Sequence, residues 1–278
     1  MRVGVVSDSA AALPPELAAE LGVVVVPMWV TIGGRTFRED ELALEEVART
    51  EERITTSAPS PGDLRAALER ALAPQGREGA VAITVARRLS AVYEAARLAA
   101  EGFGERVRVI DSGTAAGAEG LVVVAAARAA AEGGSLEDVE TAARRAAARV
   151  RLVATLADLD RVARSGRVPN VAAWAGRTLG LRPLIELRAG RIRPLRPTRS
   201  RSGAIDRLLA ACLEGRTPGA RLHAAAMHAL APEPAERLLA TLRERVELAT
   251  AIVAPFGPVM VAHTGPDLFG LAWWWEEP

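Results

Sequence analysis

Val3-Gly4-Val5-Val6-Ser7-Asp8-Ser9-Ala10-Ala11-Ala12-Leu13-Pro14 is a Val-rich run that ends in three polar residues and hands over to a helical segment at residues 14–21. A short apolar run followed by a helix is the unit from which parallel sheets are built. The pattern recurs. Residues 23–26 form a second run, followed by residues 28–32 and the turn Gly33-Gly34. Residues 63–72 fit a helix, with Ser60 near its start and Pro61 suited to the first turn. Residues 80–85 read as a third strand, 90–101 as a helix, 107–110 as a fourth strand, and 116–132 as a long Ala-rich helix. This alternation predicts an N-terminal α/β lobe with a mostly parallel sheet and flanking helices.

Beyond residue 134 the pattern changes. Residues 135–149 read as a helix opened by a capping box, Ser135 with Asp138. Residues 152–156 are a strand candidate, and 168–179 a helix carrying Trp174. Residues 182–187 and 191–195 suit a hairpin around Arg188-Ala189-Gly190. Residues 204–213 and 234–247 read as helices; 222–227, 258–263 and 268–274 read as strands. The expectation is a second α/β lobe with a mixed or antiparallel sheet. The boundary is placed near residue 150, giving lobes of residues 1–150 and 151–278.

The 278 residues are enough for two lobes, and at this size folding buries roughly 75% of the unfolded surface. The formal net charge of +1 argues against non-specific nucleic-acid binding, although all 35 basic residues are Arg. The single Cys212 excludes an intrachain disulfide and a zinc site built on several cysteines, and its apolar surroundings suggest a buried, inert thiol. The opening Met-Arg-Val-Gly-Val-Val-Ser-Asp-Ser lacks the apolar region and cleavage site of a signal peptide. No uncharged apolar stretch reaches the ~20 residues of a spanning helix, so a cytoplasmic protein is expected. The Trp273-Trp274-Trp275 run reads as a last strand with alternate rings in the core, the remainder packing on a neighbour or meeting a membrane surface.

Polar clusters at the ends of apolar strands are where ligands bind in open α/β sheets. Ser7-Asp8-Ser9 could cap the following helix or touch a ligand. Thr55-Thr56-Ser57 precede a Pro-containing turn and a helix start; spacing alone favours a hydroxyl-rich loop with a helix cap, while the hydroxyls also suit an anion. Ser90 fits an N-cap, and could alternatively donate to a carboxylate. His263, read at a strand end before Thr264-Gly265-Pro266, either faces a cleft or braces its own turn. His223 and His228 look structural, and three dispersed histidines make no metal site. Arg167, Arg199 and Arg201 offer planar forks for carboxylate or phosphate, in a chain where most Arg side chains face solvent.

Taken in order, these segments resemble the DegV family. Ser7-Asp8-Ser9-Ala10-Ala11-Ala12-Leu13-Pro14 stands where that family has T-D-S-T-A-D-L-P. Val24-Val25-Val26-Pro27-Met28-Trp29-Val30 and Phe37-Arg38-Glu39-Asp40 follow, and Thr56-Ser57-Ala58-Pro59-Ser60-Pro61 is similar to T-S-Q-P-S. Leu89-Ser90, Val109-Ile110-Asp111-Ser112, Ser165-Gly166-Arg167-Val168 (for G-G-R-I) and His263-Thr264-Gly265-Pro266 complete the series. The resemblance implies two α/β lobes enclosing a long-chain fatty acid, with Thr56, Ser90 and His263 holding its carboxylate. It places Ser9 and Ser57 near the headgroup, and Arg167 and Arg199 near an acyl phosphate or a partner's surface, with Arg201 able to replace Arg199. It further implies a non-catalytic carrier without a cofactor, the lipid-binding subunit of a bacterial fatty-acid kinase, which presents the acid to the kinase catalytic subunit for phospholipid synthesis. The departures are Ala91 and Val92 for Gly and Thr, Ala58 for Gln, Ser165 for Gly and Asp267 for Gly.

Chemistry agrees with such a ligand. A buried carboxylate needs several donors, two hydroxyls and an imidazole supply them, and histidine can change charge near neutral pH. Two other readings stay open: a binding protein for another small carboxylate or lipid without a kinase, and a hydrolase with Ser90 as nucleophile, His263 as base and Asp8 or Asp111 as orienter. No G-x-S-x-G elbow is present. Nucleotide binding is disfavoured by the lack of G-x-G-x-x-G after a strand, and a P-loop is excluded by the lack of any Lys.

Overall fold

The opening run becomes strand β1 (Val3–Asp8), and its first helix α1 (Pro15–Glu20) leads to β2 (Val23–Val26). Then come β3 (Trp29–Ile32), β4 (Arg35–Arg38), α2 (Leu44–Arg49), β5 (Ile54–Ser57), α3 (Pro61–Leu72), β6 (Gly79–Thr84), α4 (Val92–Ala100), β7 (Val107–Asp111), α5 (Ala116–Ala131) and α6 (Leu136–Arg149). The second half supplies β8 (Arg151–Thr155), α7 (Leu159–Ser165), β9 (Arg182–Arg188), β10 (Arg191–Thr198), α8 (Arg201–Leu213), β11 (Arg221–His228), α9 (Glu233–Arg243), β12 (Leu248–Pro255), α10 (Pro258–Thr264) and β13 (Phe269–Glu276). The computed structural model describes residues 2–156, 159–168 and 181–277. The helix expected over residues 168–179, with Trp174, falls almost wholly outside the described residues.

The protein is a two-lobed α/β fold. In the first lobe β2-β1-β6-β7 form a four-stranded parallel sheet. In the second, β10-β9-β8-β13-β11-β12 form a mixed sheet, antiparallel except for the β11–β12 pair. A small antiparallel sheet, β4-β3-β5, is attached to the first lobe. Its strand β3 falls in the run at residues 28–32, but its partners β4 and β5 are four residues each and not Val-rich, so the sheet does not show in the sequence.

Helix α5 sets the relation between the lobes. Its sequence is almost wholly apolar, Glu119 and Arg128 being its two charged residues, and residues 116–124 are all buried, as expected of a helix lying between layers. It lies between the two sheets, packing on β1 and β6 on one side and on β11 and β13 on the other. The small residues permit close approach: a methyl group on Gly117 would sit 2.9 Å from the Ala225 side chain. Helices α3 and α4 cover the far face of the parallel sheet, and α8 and α9 the far face of the mixed one.

The helix starts at Ser60 and Ser135 are capped as expected, each hydroxyl accepting from the N–H three residues on and each followed by an aspartate that bonds back. The β9–β10 hairpin turns on Ala189 and Gly190, both at positive φ (49° and 70°) as a two-residue turn of this hand requires. Ser90 does not cap α4. The residue at that position is Ala91, which has no capping side chain. A further correction concerns residues 258–263, expected as a strand and found as helix α10. Pro258 occupies its first turn, where proline's missing N–H costs nothing, and Gly265 at φ 81° ends it.

The tryptophan run is explained by β13 lying inside the sheet between β8 and β11. With helices on both faces, neither side of the strand meets water. Trp273 packs with the α8–α9 core and Trp274 with the core on the opposite face. Trp275 donates its indole N–H to the Cys212 carbonyl at 3.0 Å. His223 stacks on Trp274 at 4.1 Å and hydrogen-bonds Thr250. Cys212 is fully buried, and burial pushes its thiol pKa up to about 12.

Candidate functional site

The carboxyl ends of β1 and β6, the start of α5 and the inner face of the mixed sheet enclose a cavity of about 330 Å³ between the lobes. Its sheet wall follows from strand alternation: Leu152, Ala154 and Leu156 from β8 and its end, Ile185 and Leu187 from β9, and Ile192 from β10 all face inward. Ala10, Val85, Ala115 and Ala116 close the opposite side. Ala116 holds a left-handed φ of 54°, a conformation that non-glycine residues adopt only under constraint.

The polar residues gather at one end. Strand β5 alternates, turning Ile54 and Thr56 inward and Thr55 and Ser57 toward solvent. On α10, Val259, Met260, His263 and Thr264 share the face that meets the cavity. Thr56 Oγ1 and His263 Nε2 are 2.7 Å apart. Ser90 lines the same cavity, and its hydroxyl has no hydrogen-bond partner among the described residues. Ser57 and Arg167 lie on the rim.

Outside this end lies a polar groove of about 800 Å³, lined by Glu51, Glu52, Arg53, Arg161 and Arg164 among others. Thr56, Ser165, Arg167 and His263 line both the groove and the apolar cavity. They therefore mark the mouth, where an apolar interior gives way to a charged exterior. Arg167 is presented by the bend after α7, where Gly166 at φ 69° supplies the reversal; its guanidinium donates to the Ser165 carbonyl at 2.6 Å. Ser165, standing for a glycine of the family pattern, donates its hydroxyl to the Val162 carbonyl at 2.6 Å and ends the helix.

His263 is neutral here. Burial, with the nearby Arg167 charge, pushes its pKa down to about 4. The expectation that it titrates near neutral pH is thus corrected. A neutral imidazole can donate to a carboxylate or accept from a hydroxyl, and its tautomer decides which.

Two expected residues are not at the mouth. Ser9 gives its hydroxyl to Glu39 and accepts from the Met28 N–H at 3.0 Å. Arg199 is exposed just after β10 and lines neither cavity nor groove. Arg201 pairs with Asp267 at 2.7 Å, which also holds Arg182 at 3.0 Å. Asp8 caps a tight turn by accepting from the Ala10 N–H at 3.0 Å, and also takes the Val85 N–H at 2.9 Å. Its carboxyl and that of Glu119 on α5 are both buried; burial pushes Asp8 up to about 6 and Glu119 well above the usual range. Asp111 bonds the Arg87 and Gly113 N–H groups. Neither aspartate orients His263, so a Ser90–His263–Asp triad is not assembled among the described residues. No group of three His, Cys, Asp or Glu able to hold a metal occurs among them either. The lining residues Leu152, Ile185, Leu187 and Ile192 were not singled out from sequence. Their inward periodicity was visible, but not which of two buried faces bounds a void.

Comparison with known proteins places this arrangement. Residues 2–276 match the model of a family described as "Uncharacterised protein, DegV family". A DegV domain-containing protein of Streptomyces coelicolor is 36% identical over 274 residues, covering 97% of each chain. A DegV family protein of Thermus thermophilus, whose structure is described as showing fatty-acid binding, superposes with a TM-score of 0.89 at 30% identity over 99% of each chain. DegV of Bacillus subtilis, described as a fatty-acid-binding protein, gives 0.83 at 26% identity over 99% of this chain and all of that one.

Proposed function

Because the chain belongs to the DegV family, we propose that it carries one long-chain fatty acid, tail in the cavity and carboxylate at the mouth. The observation that carries this reading is the amphiphilic form of the site: an apolar chamber whose polar residues are shared with a charged outer groove. About 330 Å³ lies in the usual range of roughly 300–1,000 Å³ for ligand pockets. Each methylene withdrawn from water contributes roughly 0.8 kcal/mol, so the tail supplies most of the affinity. Thr56, Ser90 and His263 then act as the carboxylate donors, and the charge of Arg167 favours the anion from the rim.

On this reading the protein is a cytoplasmic, non-catalytic subunit with no cofactor. It presents the carboxylate to a separate kinase catalytic subunit, which forms the acyl phosphate for phospholipid synthesis. Arg167, which lines both cavity and groove at the mouth, suits the added phosphoryl group. Among the described residues no helix is long and apolar enough to cross a membrane, and the lack of an assembled triad supports a carrier over a hydrolase. The test is a titration with oleate, followed by addition of a fatty-acid kinase and labelled ATP. Saturable binding at one acid per chain and label transfer to the acid only when both proteins are present are expected. Failure of oleate to bind would overturn the carrier reading, and binding without label transfer would overturn the kinase step alone.

A further inference from the structure

Phe37-Arg38-Glu39-Asp40 is a family-like motif to which the ligand site gives no task. Glu39 follows β4 and is 6% exposed. Its backbone N–H bonds the Met28 carbonyl at 2.9 Å, at the start of β3, the strand that pairs Val30 with Thr56. Its side chain crosses to the other lobe, where it accepts the Val259 N–H at 2.9 Å in the first turn of α10. The other carboxylate oxygen takes the Ser9 hydroxyl.

Helix α10 has no cap of its own. Gly257, at the N-cap position, has no side chain, and Pro258 has no N–H, so Val259 carries the first N–H that needs a partner. Glu39 provides it from 220 residues away. The approach is close: a Cβ on Gly257 would lie 2.4 Å from the Glu39 carboxylate, which accounts for glycine there. Glu39 makes no ion pair among the described residues, and burial pushes its pKa up. Hydrogen bonds, not charge pairing, define its place.

We propose that Glu39 is the positioning residue of the carboxylate grip. Through its backbone it is tied to the sheet that carries Thr56. Through its side chain it fixes α10 at Val259, one helical turn before His263 on the same face. One residue thereby sets the register between the two halves of the Thr56–His263 contact. The proposal rests on the fatty-acid reading for its consequence, and on the contact geometry alone for its cause.

The chain has only three histidines, His223, His228 and His263, so their ring signals can be followed individually by NMR. Glu39→Ala is expected to shift the His263 ring signals while leaving His223 and His228 in place, and to weaken oleate binding roughly ten-fold. Glu39→Gln keeps an oxygen for the Val259 N–H and is expected to restore affinity to within about three-fold of the parent. Ser9→Ala removes one partner of Glu39 and is expected to give a smaller shift of the same kind, which serves if Glu39→Ala does not fold. Unchanged His263 signals in folded Glu39→Ala, or equal shifts at all three histidines, would overturn the proposal. A parent protein that binds no oleate would sink the carrier reading, while the ligand-free His263 signals would still decide the role of Glu39.

Discussion

Thr56 Oγ1 lies 2.7 Å from His263 Nε2, although 207 residues separate them in the chain. The contact joins a strand of the small first-lobe sheet to a helix of the second lobe, and it forms where apolar cavity and polar groove meet. The two groups satisfy each other. A carboxylate entering the mouth can take the hydroxyl proton and an imidazole N–H without any net desolvation of an unpaired charge on the protein. Thr56→Val and His263→Ala are each expected to weaken oleate binding by roughly ten- to a hundred-fold, the range of a lost hydrogen bond to a charged group. The double variant should lose less than the product of the two, since each single change already breaks the shared contact. Competition against a fluorescent fatty acid measures all three.

Acid stability of the ligand-free protein carries a signature of His263. Its folded pKa of about 4 lies below the ordinary 6.5. The unfolded chain therefore binds the extra proton between these values, so the His263 contribution is intact above pH 6.5 and is lost as pH falls through about 4. Asp8 acts in the opposite sense. Raised from 3.8 to about 6, it contributes stability that is present below pH 3.8 and lost as pH rises through about 6. Urea denaturation at pH 6.5 and 4.5 should show a smaller loss of stability on acidification for His263→Gln than for the parent, and a larger one for Asp8→Asn. Equal slopes in all three would refute the assignment.

The tail chamber is testable without touching its polar end. Ala154 is 2% exposed on the cavity wall, and its flank toward β13 is closed, because even a methyl group on Gly270 would come within 2.8 Å of its side chain. A larger side chain at 154 must therefore project into the void. Ala154→Phe is expected to abolish measurable binding of C16 and C18 acids, at a stability cost of about 1–3 kcal/mol. Retained affinity in a folded variant would show that the tail lies elsewhere.

Much of this was legible from residue order. The Val-rich runs, capped helices and Ala-Gly hairpin carry local signals of known mechanism, and the structure forms them within a few residues of the expected positions. The small sheet, α2, α7 and β12 were missed because each is short or, for β12, an edge strand of weak alternation. Helix α10 was misread because Val259 and Val261 favour strands, while the informative signs were its flanking Gly257-Pro258 and Gly265-Pro266. Thr56, Ser90 and His263 were identified by family resemblance. Their residue types alone favoured a cap at Ser90 and a hydroxyl-rich loop at Thr56 and left His263 open, since proximity across 207 residues is a property of the fold. For Ser9, nothing local reveals that Glu39 takes its hydroxyl.

Cys212 provides a check on the second-lobe core. Its thiol is fully buried and its pKa stands at about 12, so little thiolate exists at neutral pH. No reaction with a thiol-selective disulfide reagent is expected at pH 8 in the folded protein, and full reaction in urea. Rapid labelling of the folded form would mean that the α8–α9 layer opens readily.

The central claim is that one long-chain acid resides between the lobes. Native mass spectrometry of the purified protein, before and after incubation with a mixture of free fatty acids, tests it most directly. The account predicts a single added mass of one long-chain acid per chain, reduced in His263→Ala and absent in Ala154→Phe. A bare chain under every condition, with no acid recovered on denaturation, would contradict it.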